Sequence, residues 1–192
     1  MKKYTWFILF VLVLFLISLA GCATRDPSID FDLAYTRDIA DSDNDALSLK
    51  ASLNQRIWNS KKGTVKVRGG GGPIIMSVRT GKRMNAAGGV QVGLNTEFKT
   101  SENMSIVVGA IGGMMYMKPN VPDYGKTGAI GLIRGEAGIK WKDLKIAAVF
   151  EHTSDVADKD DGRNCVGGEI STTWEALSKL AKKAYAGFKS LF

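Results

Sequence analysis

The stretch LKIAAVFEHTS, Leu144–Ser154, changes its chemistry at every second residue. In an extended chain successive side chains point to opposite sides. Leu144, Ile146, Ala148, Phe150, His152 and Ser154 then share one face, and Lys145, Glu151 and Thr153 share the other. The same alternation recurs on both sides of it. IDFDLAYT sets Ile29, Phe31, Leu33 and Tyr35 against Asp30, Asp32, Ala34 and Thr36. ALSLKASLNQRIW sets Leu47, Leu49, Ala51, Leu53 and Ile57 against Ser48, Lys50, Ser52, Asn54 and Arg56, and VQVGLNTEFK continues the pattern. One face is apolar, and the other mixes carboxylates, amides and bases. This period of two predicts strands.

Eight strands are expected, near residues 29–37, 46–58, 63–79, 88–99, 103–117, 127–141, 144–154 and 164–174. The links alternate: DIADSDND, RTGKRMNAAGG, MKPNVPDYG and VADKDDGRN on one side, NSKKG, TSEN and KD on the other. Long loops at one end, short turns at the other and an even strand count describe an outer-membrane barrel. Tyr35, Trp58, Tyr116, Trp141 and Trp174 lie near strand ends, where interfacial aromatics belong. The predicted fold is therefore all-β: an eight-stranded antiparallel up-and-down β-barrel of outer-membrane type with a C-terminal amphipathic α-helix. A tethered soluble sandwich or lipocalin-like barrel would alternate in the same way and stands as the alternative. In the third segment, four consecutive glycines followed by Pro73 predict a bulge, a kink or a separate loop.

The C-terminal stretch WEALSKLAKKAYAGFKSLF changes period to 3.6. Trp174, Leu177, Ala181, Ala184, Phe188 and Leu191 fall on or near one face, with Lys179, Lys182, Lys183 and Lys189 off it. Such a helix either lies in a membrane interface or caps the barrel mouth or packs on a partner. Trp174, Lys179, Lys182, Lys183 and Phe188 are its candidate interface residues.

The N-terminus reads MKKYTWFILFVLVLFLISLAGC. Basic residues, a short apolar run and small residues before a cut site describe a secretory signal. Leu19-Ala20-Gly21-Cys22 resembles the lipobox of bacterial lipoproteins, in which the cysteine is lipidated and the chain cut before it. The resemblance implies lipidation at Cys22, and Ala23 after it favours transport to the outer membrane. The domain organisation follows: 1–21 signal peptide, 22–28 lipidated leader, 29–174 barrel and 175–192 basic helix. Cleavage would lower the formal net charge from +7 to +5. The mature chain has no dense basic stretch with interleaved aromatics, so nucleic acid is not an expected partner. The expected partners are outer-membrane lipid and lipopolysaccharide; no protein partner can be named.

His152 is the only histidine, and Ser154 shares its face. A neighbouring imidazole turns a serine hydroxyl into a nucleophile by taking its proton. An eight-stranded barrel with His-x-Ser on its lipid face resembles the lipid A 3-O-deacylase family. The resemblance implies Ser154 as nucleophile, His152 as base and a glutamate as third residue. The family's asparagine after the serine is Asp155 here, and its glutamate position holds Val166. Candidate acidic partners are Asp155, Asp158, Asp160, Asp161 and Glu169, the last expected to face the lumen. The loop acids are spaced loosely like a calcium loop without completing its pattern. No metal centre and no cofactor are expected. The first functional expectation is a non-enzymatic envelope barrel with a structural, adhesion or shielding role through its loops. The alternative is an acyl-ester hydrolase of lipid A or phospholipid using Ser154 and His152.

Overall fold

The computed structural model describes residues 27–117, 128–156 and 162–189. Eight strands follow one another: β1 (Ser28–Asp38), β2 (Asn44–Asn59), β3 (Val65–Thr80), β4 (Arg83–Lys99), β5 (Met104–Met117), β6 (Ala129–Trp141), β7 (Leu144–Asp155) and β8 (Gly162–Thr173). Each pairs antiparallel with its neighbour in sequence, and β1 pairs with β8 from Asp30↔Thr173 to Asp38↔Cys165, closing the barrel. The helix α1 (Trp174–Lys189) follows directly. Trp174 is thus its first residue rather than the last of the barrel. Thr173 caps it: the Ala176 N–H donates to Thr173 Oγ1 at 3.3 Å.

The barrel is apolar outside, and its lumen is polar except toward the loop end. Leu33, Leu49, Ile75, Val92, Leu94, Val108, Ile133, Ile146, Phe150 and Ile170 are exposed on its outer surface. A soluble barrel would bury such residues, because apolar area in contact with water costs about 25 cal/mol per Å2. Lipid is the solvent this surface suits. Trp58, Phe98, Trp141 and Trp174 ring the end that carries both termini, and Tyr35 and Tyr116 stand toward the other end.

The lumen is layered. Toward the loop end Ala46, Ile74, Met76, Val78, Ala87, Met115, Met117, Ile130 and Leu132 form an apolar plug. Below it, Arg134 donates to Glu169 Oε2 at 3.1 Å, to Ser48 Oγ at 2.9 Å and to Glu151. Lys50 Nζ reaches Glu169 at 2.6 Å, and Lys145 Nζ reaches Glu136 at 2.6 Å and Glu169 at 2.8 Å. The interior is filled with side chains, leaving a cavity of about 50 Å3 near the terminal end.

Two local expectations are corrected. Gly69–Gly72 do not interrupt β3; they pair with Leu94–Gln91 of β4 in unbroken register. A Cβ at Gly70 or Gly72 would overlap the carbonyl oxygen of Leu53 or Ala51, so these positions are glycine because β2 approaches closely. The irregularity falls in β2, between Arg56 and Trp58. The segment RTGKRMNAAGG is no long loop either. Arg83–Ala87 pair with Thr80–Met76, leaving only Gly81 and Lys82 as the turn. Gly81 has φ 56° and Lys82 does not have positive φ, the pattern of a type II′ hairpin.

Candidate active site

β7 is the wall that carries the site. Its even-numbered residues from Leu144 to Ser154 face outward, and Lys145, Ala147, Val149, Glu151, Thr153 and Asp155 face the lumen. His152 and Ser154 therefore stand on the lipid-facing side, at the loop end of the strand. Adjacent strands dictate their surroundings. His152 lies between Ile133 of β6 and Asn164 of β8, and Ser154 lies between Gly131 and Gly162.

The cross-strand neighbour Asn164, an amide rather than a carboxylate, completes a constellation with His152. His152 Nδ1 and Asn164 Oδ1 are 2.9 Å apart. An amide oxygen only accepts, so the imidazole carries its proton on Nδ1 and donates it to Asn164. That tautomer leaves Nε2 with its lone pair free, the state a general base requires. The role matches that of the third group in a triad, which orients the ring and fixes its tautomer, and an asparagine fills it in the Cys-His-Asn arrangement.

The glycines beside Ser154 clear space around it. A Cβ at Gly131 would sit 3.7 Å from Ser154 Oγ, and one at Gly162 would sit 3.1 Å from Cε1 and 3.5 Å from Nε2 of His152. Any larger side chain at these two positions would stand over the hydroxyl or the base. Ser154 Oγ and the imidazole make no hydrogen bond to each other. The hydroxyl lies toward β6 and the ring toward β8, about 7 Å apart along one strand face from Cα to Cα. Rotation about the Ser154 Cα–Cβ bond brings Oγ across that face, and such bonds commonly tighten only with substrate present.

The other candidates occupy other places. Asp155 is buried and faces the lumen with Thr153. Glu169 is opposite Ala147, five residues below His152, and is held by Lys50, Lys145 and Arg134 inside the barrel. Neither touches His152. Asp158, Asp160 and Asp161 lie outside the described residues, as does Cys22. Lys179, Lys182 and Lys183 are exposed on α1, and Trp174 packs on Phe31 with ring centroids 5.9 Å apart. Phe188 is within α1. Asn164 could have been found from the sequence only by fixing the β7–β8 register, which places it across from His152.

No family model matches the chain, and no curated protein matches it. Among solved structures, the chain is similar to one described as the crystal structure of the outer membrane enzyme PagL. The TM-score is 0.61 at 14% sequence identity, over 74% of this chain and 98% of that one. At this identity the likeness shows the fold: a closed eight-stranded antiparallel barrel of outer-membrane type.

Proposed function

We propose that the protein is an acyl-ester hydrolase of outer-membrane lipid, with Ser154 as nucleophile, His152 as general base and Asn164 as the residue that positions the imidazole. The observation that carries this reading is the His152–Asn164 hydrogen bond at 2.9 Å on the lipid-facing side, beside a serine flanked by Gly131 and Gly162. A polar side chain facing the hydrocarbon core is costly, and less so near the interface. A paired histidine and asparagine at this place thus call for a reason beyond packing.

In the proposed reaction Ser154 Oγ attacks the ester carbonyl carbon while its proton passes to His152 Nε2. The tetrahedral intermediate collapses, and the imidazolium returns the proton to the departing alcohol. Water then attacks the acyl-serine with His152 again as base, releasing a fatty acid and the free serine. Asn164 accepts from Nδ1–H throughout, so the ring keeps its orientation as Nε2 gains and loses its proton. Substrates of the right class, acyl esters of lipopolysaccharide or phospholipid, would lie alongside this face without leaving the membrane.

The sequence resemblances supply the setting. Cleavage before Cys22 and lipidation there would anchor the chain at the periplasmic side of the outer membrane. The terminal end of the barrel then faces the periplasm, and the Ser154 end faces the outer leaflet. A purely structural role through the loops has no comparable constellation behind it among the described residues.

Mass spectrometry of lipid A and phospholipids from Gram-negative cells expressing wild type or Ser154→Ala tests the reading. Heat-modifiable gel mobility shows that both barrels are folded. Loss of one acyl chain from either lipid with wild type only is the expected result and names the substrate. Unchanged lipids from a folded wild-type barrel would sink the hydrolase and leave the structural role.

A further inference from the structure

The helix α1 leaves the barrel with neither of its faces covered. Its residues turn by about 100° each, which gathers Trp174, Leu177, Ala181, Ala184 and Tyr185 into one arc with Leu180 at its edge. Lys179, Lys182 and Lys183 fall in the opposite arc. Apolar arcs of this kind are normally buried against protein. Here Leu177 is 38% exposed, and Leu180 and Tyr185 are each 71% exposed. At its first residue Trp174 packs on Phe31 of β1. No described residue of α1 lines the cavity at that end of the lumen.

The place where α1 begins decides what covers it. Phe31 belongs to the outward face of β1, and Trp174 is exposed beside it at the aromatic ring that marks one membrane interface, with Trp58, Phe98 and Trp141. The apolar arc is thus continuous with the lipid-facing surface of the barrel. The sequence of the helix holds four lysines against Glu175, a net charge of +3 in one short stretch. Phosphate headgroups of anionic phospholipid complement that sign, whereas a neutral leaflet leaves the lysines without a counter-charge.

We propose that α1 lies flat on the phospholipid leaflet at the terminal end of the barrel, its apolar arc among the acyl chains and its lysines on anionic headgroups. It is a second attachment to the membrane, at the end away from Ser154, and it stands whether or not the barrel is a hydrolase. The leaflet it selects is rich in acidic phospholipid.

Hydrogen exchange of the full-length protein in lipid nanodiscs, which leave both leaflets accessible, tests this. Amides of α1 should exchange about tenfold more slowly in discs containing phosphatidylglycerol than in phosphatidylcholine alone. The protection should fall in high salt, which screens surface charge. Lys179→Glu with Lys182→Glu and Lys183→Glu should remove the difference while strand amides remain protected, showing an intact barrel. Leu180→Glu, which leaves every lysine in place, should also release the helix. Equal exchange of α1 in the two lipids would overturn the proposal. So would protection that appears only when another protein is added, since a protein would then be the partner.

Discussion

Glu151 and His152 are neighbours in the chain and belong to different solvents. Glu151 points into the lumen, where Arg134 meets it, and the pair is almost fully inaccessible. His152 points outward, where Asn164 meets it at the edge of the lipid-facing surface. Both are polar pairs across one strand gap, and they do different work. The inner pair belongs to a network with Glu169, Glu136, Lys50 and Lys145 in which every cation meets a carboxylate. The outer pair leaves Nε2 uncommitted and stands beside an unencumbered hydroxyl. A pair whose bonds are all used holds a fold together; a pair with one valence to spare can do chemistry.

Mutations can break this contrast, and the effects should fall in a definite order. Ser154→Ala should remove hydrolysis almost entirely, a loss of several orders of magnitude in kcat, with unchanged unfolding in denaturant. Arg134→Ala should do the reverse. It strands Glu151 and part of the Glu169 charge in a closed interior, at a cost of about 3–5 kcal/mol in stability. Denaturant titration of the barrel in lipid vesicles measures it. If Arg134→Ala instead left stability intact and abolished hydrolysis, the lumen would be part of the site and the contrast would fail.

Asn164→Ala should come next, slowing turnover about 10²-fold, since the imidazole stays in place but loses the acceptor that holds its tautomer. Asn164→Asp, which keeps an acceptor, should restore much of the rate. A rate for Asn164→Ala equal to wild type would remove asparagine from the constellation. The smallest effect belongs to the rim. Lys140 pairs with Glu97 at 2.8 Å near the terminal end, where both side chains are partly accessible. Lys140→Ala should cost about 1 kcal/mol or less, because solvent screens such pairs. A cost as large as that of Arg134→Ala would show that the charged lumen is one rigid unit from centre to rim.

Most of the barrel was legible in the chain because a strand with lipid on one side and a polar lumen on the other must alternate. β1, β2 and β7 alternate plainly, and the assignment of Leu144, Ile146, Phe150, His152 and Ser154 to the outer face follows from that rule alone. The rule weakens where glycine replaces side chains. In Gly69–Gly72 there is no pattern to read, and the run resembles a break although its register is continuous. Arg83–Gly88 resembles loop for a related reason, since the small residues Ala86, Ala87 and Gly88 give little contrast between faces.

The candidate site divides along the same line. Ser154 and His152 lie two apart in one strand, so their shared face is a local fact. Asn164 lies beyond a loop and opposite His152 in another strand. Val166, at the glutamate position that the family resemblance implies, sits opposite Phe150 instead.

The sequence by itself determined the strand period, which residues share a face in β1, β2 and β7, and the amphipathic character of α1, because these depend on residues a few positions apart. Only the tertiary structure decided the close approach that requires glycine at positions 70 and 72, the meeting of Arg134 with Glu151 and Glu169, and the hydrogen bond from His152 to Asn164. Each of these depends on register between strands. A shift of one residue turns every side chain to the other face, and that register is set by the pairing of the closed sheet.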